Sequence, residues 1–382
     1  MKKYYIIYPR ILVWNLLVAL IAGYIICDMI GLDDISSICF SGIYVLVILY
    51  VLLELERNVF QKKELILFLM ILFIAIVNVF LGVDIISFDY FKKLILFLIT
   101  LIMMILSLKY IPDRRTEKYY GAIFQILFVV IVYKSFIDIE YYGSTKLLSL
   151  GLNNSNIAGM WIFLVFGGIL WRYQLVEKRF EKFIFALELM ILAYSCILTG
   201  CRSAFISLFG VVVLFLCFNK TKKFDKVCIL CSTFFPILFP FVYLGLYNIG
   251  FDIKLFGTKS LYSGRQDLWL NALKLLQEHP FRGVYYEISE GTGQSQMHNI
   301  FIDVISSYGI IVVILTWCLL MIILFRLKNS VETRAQHIVF YVFSLIVVGG
   351  TFEAALFSGG SGIGIWSCIF LVMIKYRNNC IR

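Results

Sequence analysis

The chain has 382 residues, of which 61% are hydrophobic and 15% charged, against an apolar share of roughly 45–50% in ordinary domains. With a mean hydropathy of +0.91, that excludes an ordinary soluble enzyme and predicts an all-α, polytopic membrane protein. The formal charge of +10 reads as the cationic rim of such a protein, so nucleic acid is not an expected partner and membrane lipids are.

Apolar runs near the length a bilayer requires recur along the whole chain. They predict twelve spans, at 11–31, 35–55, 65–82, 94–111, 119–139, 156–172, 183–199, 203–219, 227–247, 306–325, 336–352 and 361–375, within one integral membrane domain over 1–382. Lys2 and Lys3 precede the first run as in a signal peptide, but no small-x-small cleavage site follows, which predicts a retained first helix. The ten cysteines are scattered, and the Cys228/Cys231 pair lies in a span without zinc or redox context, so it reads as packing. Lys134, deep in the fifth span, is expected to snorkel outward.

Assigning the connections to alternating sides puts 24 of the 34 Lys and Arg residues on one of them, from Lys2, Lys3 and Arg10 to Lys375, Arg377 and Arg382. By the positive-inside rule that side is cytoplasmic and both termini face it. Between the ninth and tenth spans, residues 248–306 stay mostly polar and form a long extracytoplasmic loop, the kind of segment that usually carries function. Inside it, Ser263 and Gln266 have the spacing of a capping box. Trp269, Ala272, Leu273 and Leu276 follow at helical intervals up to Pro280. This predicts an amphipathic helix that lies on the membrane or caps a cavity.

The outer face is poor in cations, so those present stand out. Arg202 sits in a turn so short that its guanidinium must lie at the bilayer surface, as a functional group or as a snorkelling anchor. Arg265 opens the loop helix, where the macrodipole disfavours a cation; two positive features together suit a phosphate, though a solvated arginine is equally open. His298 stands at an outer helix start, which keeps an imidazole neutral and able to accept a proton. Asn299 beside it could orient a hydroxyl or simply cap the helix. His279 lies in a loop turn and His337 on the cytoplasmic side. The outer carboxylates include Asp33, Asp34, Asp84, Asp89, Asp138, Glu140 and Glu353. Asp138-Ile139-Glu140 lacks the further ligands of a metal site, and no phosphate loop, dinucleotide fingerprint or nucleophile elbow is present, so neither metal nor cofactor is expected.

Four segments in order carry a resemblance: Asn153-Asn154-Ser155-Asn156-Ile157-Ala158-Gly159, Leu198-Thr199-Gly200-Cys201-Arg202-Ser203, Ser263-Gly264-Arg265-Gln266-Asp267-Leu268-Trp269, and His298-Asn299-Ile300-Phe301-Ile302-Asp303 followed by Gly309. Together they resemble the O-antigen ligase and O-antigen polymerase superfamily over about residues 150–325. Ser155 stands where the family usually has proline, and Cys201 where serine is common. The resemblance implies a metal-independent membrane glycosyltransferase that uses a polyprenyl-diphosphate-linked oligosaccharide. Arg202 and Arg265 would hold the diphosphate, with Asn299 beside them, and His298 would deprotonate the acceptor. A polymerase of O-antigen or capsular repeats is the leading expectation, with a flippase and a chain-length regulator as implied partners. A ligase acting on lipid A core is the alternative, and a polysaccharide or lipid transporter the second.

Overall fold

In a computed structural model of the chain, every predicted apolar run falls on a helix. The structure describes residues 2–375 apart from 56–61, 83–87, 109–113, 143–144, 153, 218–222, 252–253, 256–258, 261, 263, 286, 289–296, 354–355 and 358–361; some helix and strand ends, residues 2–10 among them, are described in backbone only. The helices are α1 (Lys2–Ile30), α2 (Asp33–Leu55), α3 (Lys62–Gly82), α4 (Phe88–Ser107), α5 (Arg114–Ile137), α6 (Ser155–Leu175), α7 (Arg179–Leu198), α8 (Arg202–Cys217), α9 (Lys223–Asn248), α10 (Arg265–Glu278), α11 (Ile300–Ser330), α12 (Arg334–Gly349) and α13 (Ile363–Ile374). Two antiparallel hairpins, absent from the sequence reading, follow α5 and α9: β1 (Ile139–Tyr142) with β2 (Thr145–Leu148), and β3 (Lys254–Leu255) with β4 (Lys259–Ser260). The first is built from strands rich in aromatic and β-branched residues, Ile139, Tyr141, Tyr142 and Thr145.

Among the described residues, six helices, α1, α2, α5, α6, α9 and α11, are long and apolar enough to cross a membrane. The outer helices present to their surroundings side chains that water would not tolerate in such number: Phe136 is 82% exposed, and Phe73 and Leu216 are 69% exposed each. Bands of this kind are covered by hydrocarbon in an integral membrane protein. Inside them, α6 and α13 are apolar on all sides, as the centre of a bundle requires.

Contacts between helix ends define two poles. At one, the Ile300 amide donates to Gly350 O (2.7 Å), and a Cβ added to Gly159 would lie 2.4 Å from that of Cys201, so the α6 start, the α8 start, the α11 start and the α12 end meet. At the other, Arg326 pairs with Glu64, His337 faces Asp225 at 3.0 Å, and Arg172 lies over the Phe185 ring. Of the cations assigned to the cytoplasmic side, Arg172, Arg326 and Arg334 lie at this second pole; the side chains of Lys2, Lys3, Arg10, Lys62 and Lys63, together with Arg377 and Arg382, fall outside the described residues.

Three sequence expectations change in detail. Helix α11 begins at Ile300, in keeping with the helix start expected beside His298, so the tenth span drawn from 306 continues a helix that starts at 300, and that helix breaks at Gly309 (φ 78°, ψ 173°). The break frees Ser306 O and the Ile310 amide, which pair with the Val284 amide (2.7 Å) and Pro280 O (3.0 Å) of the preceding loop. A side chain at 309 would collide with Phe281 O, 2.4 Å from the added Cβ, so only glycine admits this docking. Helix α10 does not use a capping box: its N-cap is Gly264, left-handed at φ 78° and without a side-chain cap, while Ser263 lies outside the described residues. Lys134 does not snorkel; it is buried and pairs with Asp138 at 2.5 Å, one turn away on the same strand of chain.

Candidate functional site

The site forms where three helices begin. The α7–α8 turn is tight because Gly200 is left-handed (φ 61°) and Thr199 Oγ1 accepts from the Cys201 amide (3.1 Å) while donating to Cys196 O (2.7 Å). Cys201 Sγ reaches back to Asn156 O (3.3 Å) and touches Ser203 Oγ (3.1 Å), which joins the first motif to the second. Burial pushes the Cys201 thiol up to about 11, so it is a packing thiol and not a nucleophile. Arg202, the next residue, starts α8 half-buried and feels the fields of Arg265, Tyr243 and Glu353.

Helix α10 packs on the bundle rather than on lipid. Leu268, Trp269, Ala272 and Leu276 are buried against α9 and α11, and Trp269 Nε1 donates to Met297 O (2.6 Å), one residue before His298. This holds Arg265, the first residue of α10, over the start of α11. There Arg265 Nη2 meets Glu353 Oε1 at 2.6 Å, and His298 Nδ1 meets Glu353 Oε2 at 3.0 Å. One carboxylate, only 5% exposed, therefore spans the arginine and the histidine. The cation that the α10 dipole disfavours is balanced by Glu353.

His298 is left-handed at φ 49°, a conformation in which histidine is enriched among non-glycine residues but which still carries strain, and such strain gathers at functional positions. Asn299 holds it there. Its Oδ1 accepts from the Phe301 and Ile302 amides (2.8 and 2.9 Å), capping α11, and its Nδ2 donates to Thr351 O (3.0 Å) and Pro236 O (3.2 Å). Pro236 O lacks its helical partner because residue 240, four positions on, is proline and has no N–H. Asn299 thus ties α9, α11 and the segment that carries Glu353, with its own polar atoms fully engaged and the side chain buried. Asp303 adds a second brace: its Oδ1 accepts from Lys93 Nζ (2.8 Å) and from the Met297 amide (3.3 Å).

Sequence reasoning had named Arg202, Arg265, His298 and Asn299, and the structure brings all four to this pole. It had left Glu353 as one carboxylate among several. The available signal was its place just past Gly349-Gly350 at the outer end of an apolar run.

Residues 187–317 match the family model described as O-Antigen ligase. That match covers about a third of the chain and supports its resemblance to the O-antigen ligase and polymerase superfamily. No curated protein and no solved structure matches the chain. The matched range runs from α7 into α11 and contains Arg202, Arg265, His298 and Asn299; Glu353 and the Asn153–Gly159 segment lie outside it.

Proposed function

We propose that the protein polymerises polyprenyl-diphosphate-linked oligosaccharide repeats into O-antigen or capsular polysaccharide at the outer face of the cytoplasmic membrane. The observation that carries this reading is the Arg265–Glu353–His298 chain with Arg202 beside it. A carboxylate accepts and does not donate, so Glu353 fixes the proton of His298 on Nδ1 and leaves Nε2 with its lone pair for an acceptor hydroxyl. The hydroxyl oxygen bonds to the anomeric carbon of the donor as its proton passes to Nε2. The bond from that carbon to the diphosphate oxygen breaks, and the electron pair leaves with the diphosphate.

Arg202 and Arg265 supply the positive field for that leaving group, in this reading in place of a metal. The uncapped start of α10 adds its dipole to theirs. Asn299 acts by positioning, since its own polar atoms are occupied. Polymerase is preferred over ligase because it requires no lipopolysaccharide acceptor, and a flippase and a chain-length regulator are its natural partners.

A carbohydrate gel of surface glycan from a deletion strain tests the reaction. Single repeats are expected; unattached long chains mean ligase instead, and unaltered glycan removes both. The orientation, with twelve spans and both termini in the cytoplasm, rests on the 24 of 34 cations assigned to one side. In a background without native cysteines, Lys274→Cys on the exposed side of α10 should react with an impermeant maleimide in intact cells, and Asn329→Cys at the other pole only after permeabilisation. The reverse pattern would turn the site inward and end the proposal.

A further inference from the structure

At the same pole, but apart from the arginines and the histidine, a groove of about 930 Å³ opens between α1, α2 and α4. Its depth is apolar: Ile95, Leu98, Ile99 and Ile102 form a stripe along one face of α4, opposite Tyr44 and Ile48 of α2. Its mouth is the opposite in character, lined by Asp28, Asp33, Lys92 and the hydroxyl residues Ser36, Ser37 and Ser41. Lys92 turns into the groove, 5.6 Å from the Phe40 ring centroid, whereas its neighbour Lys93 turns away to pair with Asp303. Helix α4 therefore forms both the wall of the groove and a brace of the His298 segment.

Among the described residues, Asp28, Asp33 and Lys92 form no ion pair. Three ionisable groups at the rim of a low-dielectric groove, none of them ion-paired among the described residues, suit charges brought by a ligand. Two carboxylates ask for a cation and one ammonium asks for an anion, so the complementary ligand is a zwitterion with an apolar tail. A diphosphate-bearing lipid is disfavoured, because its charge would face both aspartates.

We propose that this groove binds a zwitterionic phospholipid with a primary-amine headgroup. The ammonium sits against Asp28 and Asp33, the phosphate meets Lys92 and the serine hydroxyls, and one acyl chain lies along the α4 stripe. This stands whichever glycan reaction the neighbouring site performs. Its consequence for that site is mechanical: an occupied groove steadies the start of α4, and through Lys93 and Asp303 the turn that holds His298.

The test is lipid binding to the delipidated, detergent-solubilised full chain, read by native mass spectrometry. Phosphatidylethanolamine should bind about tenfold more tightly than phosphatidylglycerol, the change expected for one charge-assisted contact at a partly buried site. The Asp28→Asn/Asp33→Asn double variant should lose that preference. Ser37→Trp, at the exposed rim, should obstruct the mouth and weaken phosphatidylethanolamine binding about tenfold as well. Equal binding of the two lipids overturns the proposal. So does a preference that survives both variants, which would put the lipid elsewhere, or tighter binding of polyprenyl diphosphate, which would make the groove part of the donor site.

Discussion

Replacing His298 with alanine should slow chain elongation by about 10²- to 10⁴-fold, the usual loss when a positioned base is removed, while the protein still inserts and still retains lipid-linked donor. Binding survives because the diphosphate is assigned to Arg202 and Arg265, whose places are set by α8 and α10 and not by the imidazole. The fold survives because the cap of α11 comes from Asn299, whose four hydrogen bonds do not involve the ring. A purified system fed lipid-linked repeats and read on a carbohydrate gel should show the ladder collapse to its first rung. Full-length polymer at an undiminished rate would make His298 a packing group.

The choice of control matters. His279 is exposed in the turn after α10, so His279→Ala should leave the rate unchanged. Sequence alone made His337 look equally neutral. In the structure it is buried, with Nδ1 3.0 Å from Asp225 Oδ1, and Tyr341 donates to the same oxygen at 3.1 Å. His337→Ala would take one of two contacts from a buried carboxylate and lower stability by about 1–3 kcal/mol, so reduced activity there would report on folding.

The sequence made the helices legible because a bilayer imposes one strong rule, long apolar runs between polar connections. It was weaker wherever a decision rested on contacts between distant segments. The start of α11 beside His298 was legible, but the break at Gly309 makes sense only once Pro280 and Val284 are seen filling the freed hydrogen bonds. Lys134 looked like a snorkelling cation because Asp138, one turn on, was read only as an outer carboxylate and not as its partner.

The same division runs through the site. Arg202, Arg265 and His298 were found because cations and a lone histidine are rare on that face and sit in recognisable segments. Asn299 was left with two readings, and its hydrogen bonds account for it as a cap and a tie. Glu353 was missed because its local signal, the place just past Gly349-Gly350, does not show which residues it meets. Its role comes from meeting Arg265 and His298, 88 and 55 residues away along the chain.

That geometry makes Glu353→Gln the more discriminating substitution. Glutamine keeps the size but offers one acceptor oxygen where the carboxylate offered two. Arg265 needs an acceptor and so does the Nδ1–H of His298, so one contact must fail. If the amide nitrogen turns toward the ring, the proton moves to Nε2 and the base is lost; in a comparable histidine–carboxylate pair the wrong tautomer cost about 10⁴-fold. If it turns the other way, Arg265 loses its anchor beside the diphosphate. Elongation should fall by about 10²- to 10⁴-fold either way. A structural role could imitate that loss, and the double variant separates the two. Residues that act as one unit are not additive, so Glu353→Gln/His298→Ala should be no slower than His298→Ala alone, at equal protein levels. Losses that multiply would show that Glu353 acts through Arg265 or through the fold and not through the proton of His298.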